Sequence, residues 1–527
     1  MGRFPSLLFV GLLVLVSGVT IANGCQPKEK PSEKNEEATK KAGARVIKTI
    51  DKSANKELSP TRTLAIHTPG LPEAKGVEDS ALRKMPHLKV VLESLYRVQK
   101  RYVDPSRLNA KKMFVHGLKE VQENTAAVQI RLFPEDSKNP ELAVVQVGKS
   151  LLPFSLAQLK DSNDTYTYFR WILGFIKQEL KETGDFDKEE QANLEYSAIN
   201  GFLDFLDPYS VLLPPKSFGE MKIRTSGSFG GIGIVISIRK GALTVISPID
   251  GTPAARAGIQ PSDKIVRIGP ESTVNMSLHE AVSRLRGKVG TKISFWIERD
   301  GLPAPKKVTL TRARIEIHSV DSRNMKGHVG YLRVSRFSEN TLPELKEHLS
   351  KLEKGGAKSL ILDLTKNPGG LLSQAVAVAD AFLDRGTIVT TEGAGRVRID
   401  TKTAKKSSTL WRKPMVVLVD RGSASAAEIV AGALRHLGRA VVFGERTFGK
   451  GTVQVLKRNS DNSALKLTVA RYLVRGDVPI QTVGIVPDLM TLPITLRKKW
   501  VRFHTLQRES GEEQLPEHLS PGRKVKI

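Results

Sequence analysis

The chain reads as a multidomain α+β protein: a helical N-terminal region, a strand-and-turn domain of barrel-like form, and an α/β core. Three changes of pattern predict this. Leu88, Val91, Leu92, Leu95, Tyr96 and Val98 recur at helical spacing, as do Tyr168, Ile172, Phe175, Ile176 and Leu180. From Gly227 short strands and turns take over, and beyond Ile315 strands alternate with helices, the order of a layered α/β sheet. A length of 527 residues predicts roughly three to four domains. At 40% hydrophobic and 26% charged, the chain has the material to bury real cores.

The N-terminus runs Met1-Gly2-Arg3, then an apolar stretch from Leu7 to Val19 broken only by Gly11, Ser17 and Gly18. That is short of the ~20 residues a membrane span needs, so residues 1–25 read as a secretory signal. A myristoylation pattern at Gly2 and Ser6 is nominal, because the apolar run behind it fits export instead. Cys25 is the single cysteine, and its place after Ala22-Asn23-Gly24 resembles a bacterial lipobox, with alanine where leucine is commoner. Ordinary cleavage after Ala22 is the competing reading. One cysteine excludes an internal disulfide, so stability must come from packing. Residues 26–76, rich in Lys, Glu, Pro, Ser and Thr, read as a flexible linker. The expected location is the bacterial periplasm or cell envelope, with a membrane anchor through lipid on Cys25.

A net charge of +27 raises the question of nucleic acid. Export and the lack of a recognised nucleic-acid motif argue against that partner; in an envelope a basic surface meets anionic lipid or wall polymers. Arg497-Lys498-Lys499 and Arg523-Lys524 read as solvated faces, and residues 496–527 as a basic C-terminal tail.

Residues 77–219 form the helical region, ending at the helix stop Asp207-Pro208-Tyr209; a strand-like piece at Val128–Leu132 has no evident place in it. Across 220–315 the order is a glycine-rich loop at Gly230–Gly233, strands near Val235–Ile238 and Ala242–Ile246, a capping box Ser277-Leu278-His279-Glu280 opening a helix, and strands at Lys292–Glu298 and Lys307–Thr311. This succession resembles a PDZ domain. The resemblance implies that Gly230, Gly231, Ile232 and Gly233 offer backbone N–H groups to the terminal carboxylate of a peptide, which adds as a strand beside the helix. Ser262 departs from the family, which more often has glycine there.

In the core, 316–495, strands are expected at Gly330–Val334, Ser359–Leu364 and Met415–Asp420, with helices at Leu342–Leu352 and Leu371–Leu383. The last strand runs into Gly422-Ser423-Ala424-Ser425-Ala426-Ala427-Glu428, a small-residue turn that also reads as a capping box. Lys450 follows within Thr447-Phe448-Gly449-Lys450-Gly451. Serine is a poor nucleophile without a neighbouring base. Lysine serves as that base only when desolvated, its pKa of about 10.4 falling by roughly 3 units, or about 4 kcal/mol. Ser423 is the rival nucleophile. A second glycine turn, Asn367-Pro368-Gly369-Gly370, follows the earlier strand and would point N–H groups outward.

Leu362–Leu371, Gly422–Ile429, Gly444–Gln454 and Gly484–Asp488 resemble the carboxyl-terminal processing peptidases, or tail-specific proteases, of family S41, whose peptidase core has a ClpP/crotonase-type fold. The match covers most of residues 81–490. It implies an exported serine endopeptidase that recognises free C-termini and cleaves envelope proteins. It assigns Ser425 as nucleophile, Lys450 as general base and Gln454 as the group that orients the lysine. Ala426 and either Gly369 or Gly370 would supply the oxyanion hole. Thr365-Lys366 replaces a more usual arginine-containing pair, and the stretch Arg471–Gly476 lacks a customary proline. Protein or peptide substrates are the expected partners, with an envelope adaptor protein a further one; no cofactor and no metal are expected.

Two other classes compete. A non-catalytic PDZ adaptor would be marked by loss of the serine, lysine or glutamine, and all three are present. A crotonase-like thioester enzyme shares the core but not the PDZ domain or the Ser/Lys spacing. A histidine base fails on reach: His436 would lie about 16 Å along the helix from Ser425, and the other histidines show no metal-like pairing.

Overall fold

The helical periodicity near Leu88 becomes α1 (Lys89–Arg101), whose apolar positions Val91, Leu95 and Val98 are buried. A computed structural model of the chain describes residues 88–132, 141–182, 188–474, 477–491, 494–497, 500–503 and 511–522. The signal, Cys25, the linker and the first residues of the helical region lie outside the described residues.

α1 packs with α2 (Ala110–Asn124), α3 (Ser162–Glu182) and α4 (Lys188–Asp204) around an aromatic centre. The Phe114 ring meets those of Phe169 at 4.7 Å, Tyr168 at 5.7 Å and Phe154 at 6.0 Å. Offset and edge-on contacts of this kind add to area burial. The region is less helical than expected. β1 (Val128–Leu132) pairs with β2 (Leu142–Val147), and β2 with β3 (Ser150–Ser155), so the unplaced strand is one edge of an antiparallel sheet.

The middle segment carries its own core of Ile232, Leu243, Val245, Ile265, Ile268, Phe295 and Ile297. β4 (Ser228–Gly231) pairs with a later strand, β10 (Ala313–Glu316). The main sheet runs in the order β9 (Lys306–Thr311), β8 (Lys292–Glu298), β7 (Lys264–Ile268), β6 (Ala242–Pro248) and β5 (Ile234–Arg239), leaving β5 at an edge. α5 (Leu278–Leu285) opens on the expected capping box: the Glu280 N–H donates to Ser277 Oγ at 3.2 Å and the Ser277 N–H to Glu280 Oε2 at 2.9 Å. It packs against β5.

The C-terminal core is a sheet in the order β11 (Val320–Met325), β12 (Val329–Val334), β13 (Ser359–Asp363), β16 (Met415–Val419), β17 (Val441–Gly444) and β20 (Leu489–Met490). All neighbours after β11 are parallel. α6 (Thr341–Lys354), α7 (Leu372–Asp380) and α8 (Ala426–His436) provide the crossovers. Alternate residues of β13 and β16, Leu360, Leu362, Met415, Val417 and Val419, are buried in the core, whereas Val416 on the other face is exposed. A second, antiparallel sheet has the order β15 (Arg398–Thr403), β14 (Thr387–Glu392), β19 (Ala464–Val474) and β18 (Thr452–Arg458). β19 also presents Leu465 and Leu467 to the N-terminal aromatic core. The carboxyl ends of β13 and β16 and the start of β18 therefore converge, and ligands of open α/β sheets bind at such strand ends.

Candidate active site

β16 leads into the turn that holds Ser425 at φ 54° and ψ −113°, immediately before α8. Positive φ costs a residue other than glycine roughly 1–2 kcal/mol. The same strained strand-to-helix corner exposes the serine in a nucleophile elbow. Ser423 is fully buried instead, its hydroxyl donating to the Leu364 carbonyl at 2.8 Å and accepting the Asp420 N–H at 3.0 Å. Ser423 is thus a structural pin between strand ends.

The Asn367 turn lies against this corner. A side chain on Gly369, at φ 99°, would meet Ser425 Cβ at 2.9 Å and the Ala426 nitrogen at 3.0 Å. Gly370, at φ 145°, would collide with the Phe337 carbonyl at 2.1 Å. Only glycine fits at either place. The Gly369 N–H is taken by Asn367 Oδ1 at 2.9 Å, and the Asn367 carbonyl accepts the Ala424 N–H at 2.9 Å. No acceptor among the described residues takes the N–H of Gly370 or of Ala426; Ala426 follows Ser425 directly, and Gly370 follows Gly369, which lies against Ser425.

Glu428 is the residue that the sequence reading passed over as a cap. It is fully buried. Its Oε1 accepts the Thr447 hydroxyl at 2.5 Å and the Gly449 N–H at 2.7 Å; its Oε2 accepts the Ser425 N–H at 2.7 Å and the Lys450 N–H at 2.9 Å. One carboxylate thereby ties the serine turn to the lysine loop. Burial pushes it up to about 7, although the four hydrogen bonds pull the other way. The only sequence signal was a glutamate in an otherwise apolar first helical turn.

Lys450 enters β18 with its amine among protein groups. Burial lowers it from 10.5 to about 8, Lys466 acts in the same direction, and Glu512, Asp207 and Glu428 oppose. Its Nζ lies 3.7 Å from the centre of the Tyr209 ring. No hydrogen bond joins Lys450 Nζ to Ser425 Oγ among the described residues. Gln454 follows on the same strand, but its amide donates to Thr452 Oγ1 at 2.9 Å and Thr468 Oγ1 at 3.3 Å rather than meeting the lysine. The backbones of serine and lysine are therefore clamped side by side while the side chains of Ser425, Lys450 and Gln454 are not engaged with one another.

In the middle segment the Gly230 carbonyl accepts the Gly287 N–H at 3.0 Å, the Ile232 carbonyl the Ala254 N–H at 2.9 Å, and the Gly233 carbonyl the Ile249 N–H at 2.9 Å. Gly231 lies in β4, opposite Ala313. No acceptor among the described residues takes the N–H of Ile232 or Gly233, and the loop leads straight into the open edge of β5. No group of three or more His, Cys, Asp or Glu suited to a metal occurs among the described residues.

Two family models match this chain. That of peptidase family S41 covers residues 328–491 and that of the PDZ domain residues 220–298, so the molecule is a serine-type peptidase with a PDZ domain. A carboxy-terminal-processing protease of Bartonella bacilliformis is 41% identical over 331 residues, covering 60% of this chain and 76% of the relative. One from Synechocystis is 38% identical, covering 66% and 81%. The chain belongs to the carboxy-terminal processing proteases. Among solved structures, the photosystem II D1 C-terminal processing protease is 26% identical, covers 77% of this chain and 93% of its own, and has a TM-score of 0.40.

Proposed function

We propose that the enzyme cleaves proteins with a Ser425–Lys450 dyad after capturing their free C-termini in the PDZ groove. The observation that carries the reading is the shared Glu428 oxygen, which holds the backbone N–H groups of Ser425 and Lys450 together. Ser425 Oγ attacks the peptide carbonyl while neutral Lys450 takes its proton. The N–H groups of Ala426 and Gly370 hold the oxyanion; Gly370 is preferred to Gly369, whose N–H already serves Asn367. Collapse of the tetrahedral adduct expels the amine, which takes the proton from Lys450, and a water deprotonated by Lys450 then releases the acyl group.

For this the lysine must swing from Tyr209 to the serine, a movement that its four-carbon stem permits. Gln454, one β-pleat beyond Thr452, would have to exchange its threonine partners to orient the amine. In the PDZ domain the unclaimed N–H groups of Ile232 and Gly233 suit a terminal carboxylate, and the edge of β5 suits strand addition by the peptide. The apolar run Leu7–Val19, followed by Cys25, supports export and lipid anchorage in a bacterial envelope.

The test is cleavage of a peptide with a free C-terminus. Ser425→Ala and Lys450→Ala are expected to abolish turnover in folded protein, Ser423→Ala to retain appreciable activity, and amidation of the peptide's C-terminus to raise KM. Loss of turnover in Ser423→Ala alone would overturn the assignment.

A further inference from the structure

Residues 511–522 fall in the stretch read from sequence as a basic tail, and Gly511-Glu512-Glu513-Gln514 has the composition of a solvated turn. Glu512 is nevertheless fully buried. Its N–H donates to the Phe448 carbonyl at 3.0 Å, two residues before Lys450 in the chain. Its Oε1 accepts Gln481 Nε2 at 2.6 Å, and Oε2 accepts the Tyr209 hydroxyl. Gln481 also accepts the Gly451 N–H at 2.9 Å and donates to the Leu519 carbonyl at 3.0 Å. Arg107 fastens the same segment from the helical region, donating to the carbonyls of Glu517 at 2.8 Å and His518 at 2.9 Å.

A buried carboxylate is costly unless its hydrogen bonds are satisfied, and this one spends them on the two sides of the lysine loop. Tyr209 is fixed at both ends: its N–H donates to Asp207 Oδ1 at 2.9 Å and its hydroxyl to Glu512. Its ring face in turn carries Lys450 Nζ.

We propose that Glu512 is a positioning residue for the general base, acting through Tyr209 to hold the Lys450 amine at the edge of the reaction centre. The inference rests on the assignment of Lys450 as base. The carboxylate fixes the tyrosine ring, the ring limits where the amine can rest, and a docked C-terminal segment becomes a condition of full activity. A misplacement of about 1 Å at such a site costs up to roughly 100-fold in rate. The groups facing the amine are Tyr209 and Asp207 from the turn after α4, Glu428 from α8, Lys466 from β19 and Glu512 itself. Of these Glu512 is the largest influence favouring the ammonium form.

The test uses the full chain. It measures kcat and KM on a free C-terminal peptide, the pH midpoint of serine labelling by a fluorophosphonate, and thermal unfolding. Tyr209→Phe keeps the ring and loses the tether; kcat is expected to fall about 10-fold with KM unchanged. Glu512→Gln keeps both contacts, its amide oxygen accepting from Gln481 and its amide N–H donating to the Tyr209 hydroxyl oxygen, and loses the charge, so kcat is expected within about twofold of wild type while the labelling midpoint moves to lower pH. Glu512→Ala combines both effects. Wild-type kcat and an unmoved midpoint in Tyr209→Phe and Glu512→Gln would overturn the proposal, as would losses that merely track the unfolded fraction. Activity surviving in Ser425→Ala would instead overturn the reading of the site beneath it.

Discussion

Lys450 Nζ rests over the face of the Tyr209 ring, 3.7 Å from its centre, with its charge desolvated rather than paired. Burial alone disfavours the ammonium, whereas an aromatic face attracts it. The two influences act on the Lys450 amine in opposite directions.

The first expectation concerns pH. Lys450 must be neutral to accept the serine proton, and burial brings it down to about 8. Below that point kcat/KM should fall about tenfold per unit, and above it level off. The stability sign is separate: the lowered lysine favours the native state above its ordinary 10.5, and that contribution is lost as pH falls through about 8. Lys450→Arg, which keeps the charge but cannot lose a proton at these pH values, should be inactive at every pH tested.

Glu428 offers a second expectation. In Glu428→Gln an amide group faces backbone donors that previously met an acceptor, so the clamp between Ser425 and Lys450 opens. Activity should drop by about 100-fold, with a stability loss of about 2–3 kcal/mol by denaturant unfolding. The raised carboxyl favours the native state fully below its ordinary 4.5, and this contribution is lost as pH rises through about 7. The wild type's stability margin over Glu428→Gln should therefore narrow between pH 5 and pH 8, and a margin that widens would contradict the burial assigned to it.

Ser262 sets a third. It occupies φ 73° in the tight turn before Asp263, with its N–H on the Val245 carbonyl at 2.8 Å. Left-handed backbone favours glycine, so Ser262→Gly should stabilise the PDZ domain by up to about 1 kcal/mol in thermal unfolding. Peptide cleavage should stay unchanged.

Much of this was legible where local pattern and tertiary role coincide. The strand from Met415, the small-residue turn and the helix to His436 follow from period and residue size, as does the Ser277 capping box. β2 and β3 were not legible, because a hairpin is defined by its partner and only the β1 stretch had a recognisable strand pattern. Glu428 was hidden by a pattern that is locally complete: it accepts the Ser425 N–H as a cap would, while its other three bonds come from the loop around Lys450. Glu512 was hidden by composition, since its partners Tyr209 and Gln481 are far from it in sequence.

The most direct measurement is the site of covalent labelling by a fluorophosphonate, read by mass spectrometry of the digested full chain at a pH above about 8. The adduct is expected on Ser425, to vanish in Lys450→Ala, and to persist in Ser423→Ala. An adduct on Ser423, or undiminished labelling of Ser425 in Lys450→Ala, would contradict a lysine-activated serine.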